Sequence, residues 1–168
     1  MVKKYVFGTP IETDAVVKEI KETIWNDELF KKEGNVFQYS LKPDEIVYGL
    51  GENVRGMNKR GWRYVSNCSD NPNHCEHTNS LYGAHNFIMM GDGVSETYGL
   101  FVDTPGTVIF DVGYTDIDRL SIAMENENYK IYLIEGETYQ DVVREFREMI
   151  GRSYIAPRWA FGYGQSRD

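Results

Sequence analysis

From residue 81 to residue 134 the chain repeats one pattern, a short run of β-branched and aromatic residues followed by a turn of Asp, Gly or Asn. Residues 81–90 form the first run, Gly91-Asp92-Gly93 marks a hairpin, and residues 97–102 supply its partner. Residues 107–112, 119–124 and 128–134 continue the rhythm. Strands at this short, regular spacing predict an all-β fold, mainly an antiparallel β-sandwich. Upstream, residues 2–7, 36–41 and 46–48 also read as strands, the last entered through a Pro43-Asp44 turn. Between them Val16, Val17, Ile20 and Ile24 fall at helical spacing, which predicts a short N-terminal helix over 14–25 with Thr13 as its N-cap.

The period changes after residue 137. Thr138-Tyr-Gln-Asp141 is a capping box. Val142, Val143, Phe146, Met149 and Ile150 share one helical face, and Gly151 stands where a C-terminal glycine belongs. Pro157 closes the connection, and residues 159–163 read as an apolar strand. A strand there follows a helix as in an α/β unit but has no successor to pair with, and an unpaired apolar strand invites aggregation. The expected organisation is therefore a β-sandwich over 1–135, a linker helix and connection over 136–157, and the start of a barrel over 158–168, with the natural chain continuing beyond it.

A chain of 168 residues can bury one sizeable core. A net charge of −8 excludes a nucleic-acid partner, because Arg55, Lys59, Arg60 and Arg63 are the best basic run in an acidic protein. The residues after Met1 contain no apolar stretch long enough for a signal peptide or a membrane span, so a cytoplasmic protein with reduced Cys68 and Cys75 is expected. No phosphate loop is present, since Gly162-x-Gly164 lacks a following helix.

Chemistry concentrates in residues 53–80, an irregular stretch long enough to suggest a functional loop. It starts where the strand 46–48 runs into Gly49-Leu50-Gly51, residues that permit unusual backbone angles. Glu52 follows, expected to be a buried structural carboxylate tying strand to loop, with Arg55 as its ion partner. Cys68, His74, Cys75 and His77 are zinc-type ligands without the paired spacing of a zinc knuckle, so no metal is expected. His85 reads as a histidine bonded within a strand. The 26 acidic residues show no pattern that signals a catalytic carboxylate pair.

Three blocks in this order, Tyr48-Gly-Leu-Gly-Glu52, the aromatic strand 81–90, and Arg158-Trp-Ala-Phe-Gly-Tyr-Gly-Gln-Ser-Arg167, resemble the N-terminal sandwich of glycoside hydrolase family 31, of the bacterial α-glucosidase type, running into its catalytic barrel. The resemblance implies a galactose-mutarotase-like fold. It implies retaining hydrolysis of terminal α-linked glucose from an α-glucoside or oligosaccharide, without cofactor or metal. The catalytic aspartates of that family lie on later barrel strands, so none is expected before Asp168 and this chain alone should be inactive. The loop 66–77 is expected to line the sugar pocket, with Asp70 where the family places a sugar-contacting aspartate and Asn67, Ser69 and Asn71 as rivals. From residue type alone, Asp70 instead makes an Asx turn into Asn71-Pro72. Gln165 and Arg167 are expected to support the pocket, with Glu52; Asp168 departs from the aromatic residue usual there. Glucosides and xylosides both remain open. So do two other classes, a free-standing carbohydrate-binding sandwich stacking sugars on Trp62 and Tyr64, and a structural domain that binds no sugar. Exposed barrel-facing apolar surface is expected to make the chain self-associate.

Overall fold

The computed structural model describes residues 1–164. Ten strands are seen: β1 (Val2–Phe7), β2 (Lys31–Glu33), β3 (Val36–Ser40), β4 (Tyr48–Gly51), β5 (Trp62–Ser66), β6 (Ala84–Gly91), β7 (Thr97–Asp103), β8 (Val108–Val112), β9 (Arg119–Met124) and β10 (Tyr129–Gly136), followed by α1 (Tyr139–Ile150). They form two five-stranded sheets, ordered β1-β10-β7-β6-β4 and β2-β3-β9-β8-β5, with antiparallel pairing throughout. The fold is the antiparallel sandwich that the strand rhythm predicts.

Alternation explains which faces meet. Phe37 and Tyr39 of β3, Val108, Phe110 and Val112 of β8, and Leu120, Ile122 and Met124 of β9 all point between the sheets. Tyr129, Ile131 and Leu133 of β10 meet them from the other sheet. The alternate residues of β10, Tyr132 and Ile134, are buried as well, because a second layer covers the outside of that sheet. Val142, Phe146 and Met149 of α1 supply this layer, with Phe146 stacked on Phe87 at 3.8 Å between ring centres. A strand buried on both faces needs a nearly continuous apolar run. The exception in β10, Lys130, is paired with Asp103 at 3.9 Å and Glu12 at 2.9 Å.

Residues 14–25 are not helical. Val16 and Ile20 pack against the α1 layer, Trp25 joins Tyr5 and Phe37 at the sandwich core, and Ile24 is 87% exposed. The helical spacing thus comes from side chains serving separate layers, and an extended strap reaches those layers where one helical stripe cannot. The strap's amides find partners elsewhere: Val17 and Lys18 donate to the Met149 carbonyl at 2.9 and 3.2 Å, and Thr23 donates to the Lys4 carbonyl at 2.7 Å. Thr13, expected as an N-cap, donates its hydroxyl to Asp103 at 2.8 Å. Asp27 completes the attachment by accepting from Lys3, Tyr5 and the Leu29 amide; burial and that carboxylate push the Tyr5 phenol up to about 12.

The C-terminal expectations divide. Thr138 caps α1 as the sequence requires, its hydroxyl accepting from the Asp141 amide at 3.2 Å and its amide donating to Asp141 at 3.1 Å. Residues 159–163 do not form a strand: Arg158–Phe161 make a single 3-10 turn, with Trp159 81% and Phe161 76% exposed. A strand is stable only against a neighbour's N–H and C=O groups, and no described residue supplies that edge. Among the described residues no helix is long and apolar enough to cross a membrane. Replacing Thr138 with Ala removes one half of the capping box and is expected to lower stability by about 1 kcal/mol, whereas Ser at this position retains it; thermal unfolding of the two variants measures the difference.

Candidate functional site

The site is built outward from the end of β4. Gly49, Leu50 and Gly51 have φ values of 124°, 68° and 69°, three successive positive angles, with Leu50 buried. Close packing selects the glycines. A Cβ at Gly49 would lie 2.2 Å from the Phe87 carbonyl oxygen, and one at Gly51 would lie 2.0 Å from that of Gly83. The pairing of β4 with β6 shifts register between these two residues, so the chain leaves the sheet with a new direction. Glu52 then fixes the exit. Its amide donates to the Gly83 carbonyl at 2.8 Å, and its carboxylate accepts from the Gly83 amide at 3.1 Å. Glu52 therefore ties strand to loop as expected, but from the surface: the carboxylate is exposed, not buried.

Arg55 is not its ion partner. The guanidinium donates Nε–H to the Glu76 carbonyl at 2.6 Å and Nη1–H to the Arg63 carbonyl at 2.7 Å. It lies 4.3 Å from the Trp62 ring centre and 4.9 Å from that of Tyr64. These two aromatics are consequently unsuited to stack on a sugar, since Tyr64 is 1% exposed and Trp62 is covered by Arg55. Lys59, buried next to them, donates to Asn53 Oδ1 and the Gly56 carbonyl, both at 2.9 Å; burial and then the Arg55 charge lower its pKa.

The loop runs from the end of β5 to the start of β6. Ser69 N donates to the Leu81 carbonyl at 3.1 Å and closes its neck, while Cys75 and Thr78 bond each other through N–H to Oγ1 at 3.1 Å and N–H to carbonyl at 2.9 Å. Asp70 is exposed and accepts from the Tyr82 hydroxyl at 2.9 Å, a bond that raises the Tyr82 pKa. The Asx turn belongs instead to Asn71, whose Oδ1 accepts from the Asn73 amide at 2.9 Å. Asn67, Ser69 and Asn71 line a hollow of about 470 Å³ with Asn73, His77 and Asn79. Asn67 also borders a smaller hollow of about 280 Å³ with Asn86, whose Oδ1 is buried without a partner among the described residues.

Thus the structure brings Asp70, Asn67 and Asn71 onto one loop and places Glu52 at its base. Gln165, Ser166, Arg167 and Asp168 lie outside the described residues. Cys68 and Cys75 are exposed and unbridged, and the Thr78 hydroxyl lowers the Cys75 thiol pKa. Among the described residues no group of three or more His, Cys, Asp and Glu side chains is arranged to hold a metal ion. His85 lies in β6, exposed. A larger hollow of about 630 Å³ runs along α1, lined by Arg144, Arg147 and Arg152 and remote in sequence from the loop. Amides, hydroxyls and exposed carboxylates suit hydrogen bonding to a polyhydroxylated ligand.

This is an antiparallel sandwich carrying a polar loop of hydrogen-bonding side chains at one end. Residues 7–111 match the glycosyl hydrolase 31 N-terminal galactose mutarotase-like domain, and the chain belongs to that family. It is 32% identical over 139 residues to an α-glucosidase of Saccharolobus solfataricus, covering 81% of this chain and 20% of the relative. It is 30% identical over 145 residues to α-xylosidase XylQ of Lactiplantibacillus pentosus, covering 83% of this chain and 17% of the relative. The structure of a family 31 dextranase from Flavobacterium johnsoniae complexed with glucose superposes with a TM-score of 0.68 at 25% identity, over 83% of this chain and 17% of that one. The chain therefore spans no more than about a fifth of these relatives.

Gly51→Ala tests the turn on which the loop rests. The added methyl meets the Gly83 carbonyl oxygen at 2.0 Å and the residue keeps a φ of 69°. A loss of about 2–4 kcal/mol is expected from strain and displaced backbone, read by chemical denaturation.

Proposed function

We propose that this chain is the non-catalytic N-terminal domain of a retaining glycosidase of the α-glucosidase type, and that its loop 66–77 forms one wall of the sugar pocket. The observation that carries this reading is the presentation of Asp70: an exposed carboxylate on a loop of amides and hydroxyls, steadied by the Tyr82 hydroxyl at 2.9 Å. A carboxylate accepts from two adjacent sugar hydroxyls with charge-assisted strength, so it orients a ring without taking part in bond cleavage. Asn67 and Asn71 add neutral donors and acceptors beside it. The family and its glycosidase relatives support a glycosidase as the parent protein, and relatives named as an α-glucosidase and an α-xylosidase leave the glucoside preference as the proposal.

In this reading residues 136–157 link the sandwich to a catalytic barrel, and residues 158–168 begin it. The exposed Tyr154, Ile155, Trp159 and Phe161 suit such a contact and favour self-association of the chain by itself. Gln165 and Arg167 are proposed as support for the pocket, and a cytoplasmic location accords with the exposed thiols of Cys68 and Cys75.

The test compares α-glucoside turnover by this 168-residue chain and by the product of its complete reading frame. Activity only in the longer product is expected. In that product Asp70→Ala should lower kcat/KM by about 10–100-fold, the value of one or two charge-assisted hydrogen bonds. Turnover by the short chain would overturn the proposal, as would silence from both.

A further inference from the structure

We infer that Arg55 is the positioning residue of the loop, the clamp that sets where its far limb stands and hence how its near limb presents Asp70. The inference rests on the sugar-pocket reading for its functional consequence and on the geometry alone for the clamp. Glu76, whose carbonyl accepts the Arg55 Nε–H at 2.6 Å, lies on the limb returning toward β6. The Arg63 carbonyl, which accepts from Nη1 at 2.7 Å, belongs to β5. One planar group therefore bridges the loop and the sheet. The other hydrogen bonds of residues 67–80, among the described residues, close on the loop or its neck: Ser69 to Leu81, Asn73 to Asn71, the Cys75–Thr78 pair, and Tyr82 to Asp70. A side chain outside the loop that hydrogen-bonds its middle to the sandwich is Arg55.

The chemistry calls for arginine. A guanidinium offers donors in a fixed fork and lies flat on aromatic faces, whereas an ammonium is a compact point charge that cannot hold both carbonyls and the rings together. The rings of Trp62 and Tyr64, 4.3 and 4.9 Å away, fix the plane of the fork. Trp62 also touches His77, next to Glu76, at 6.4 Å between ring centres, so the strand holds both residues of the far limb. Arg55 makes no contact with the Asp70 carboxylate, whose partner is Tyr82. Its effect on a ligand is through the loop.

The experiment uses Arg55→Lys and Arg55→Gln and reads two quantities. The first is amide hydrogen exchange at Ser69, Asn73, Cys75 and Thr78 in this chain, with the exchange of β8 and β9 as a control for folding. The second is KM and kcat for an α-glucoside in the product of the complete reading frame. At least about tenfold faster loop exchange is expected with β8 and β9 unchanged, together with about a tenfold higher KM and an unchanged kcat. Unchanged loop exchange in both folded variants would overturn the clamp. Faster loop exchange with an unchanged KM would uphold the clamp and contradict its role toward the sugar, and a fall in kcat alone would contradict positioning through binding.

Discussion

Backbone approaches backbone at Gly49 and Gly51 more closely than any side chain permits, and the exit of the chain from β4 toward the polar loop depends on that approach. The carbonyls of Phe87 and Gly83 occupy the space where Cβ atoms would be, and three positive φ angles turn the chain out of the sheet. Leu50, between the glycines, accepts the strained angle because its side chain is buried in the sandwich core, and burial of a leucine is worth about 1.5–3 kcal/mol, comparable with the strain. The turn delivers Glu52 to Gly83 and Arg55 to Glu76, which are two points along the returning limb of one loop. A rigid pivot thereby gives definite geometry to a segment with few apolar contacts of its own.

The remainder of the sandwich supports this end by ordinary means. Alternating side chains fill the space between the sheets, and α1 with the N-terminal strap covers the outside of one sheet.

Much of this was legible in the residues. The strands of the second half are legible because half-buried strands must alternate, and α1 because a capping box satisfies the orphan amides of a helix start in a recognisable way. Residues 14–25 mislead for a physical reason: Val16 and Ile20 are partly buried against the α1 layer while Trp25 packs at the sandwich core and Ile24 is exposed, and the amides of Val17, Lys18 and Thr23 bond to Met149 and Lys4. Residues 159–163 have strand composition without a strand's partner. At the site, Gly-Leu-Gly-Glu announces the turn and the loop composition announces hydrogen bonding. The clamp is silent in sequence, because Arg55 recognises two main-chain carbonyls, and a carbonyl carries no residue type. Tyr82 is silent also, twelve residues from Asp70 and inside what reads as a strand.

The chain belongs to the glycosyl hydrolase 31 N-terminal galactose mutarotase-like family, and the proposal adds a role for its loop. Under the proposed function, Asp70 faces a bound sugar. A crystal structure of the product of the complete reading frame with a bound α-glucoside measures this directly. The expected result places the Asp70 carboxylate at about 2.5–2.7 Å from a sugar hydroxyl, with Glu76 still held by Arg55. A sugar bound with the loop 66–77 turned away from it, and Asp70 engaged by Tyr82 alone, would contradict the claim.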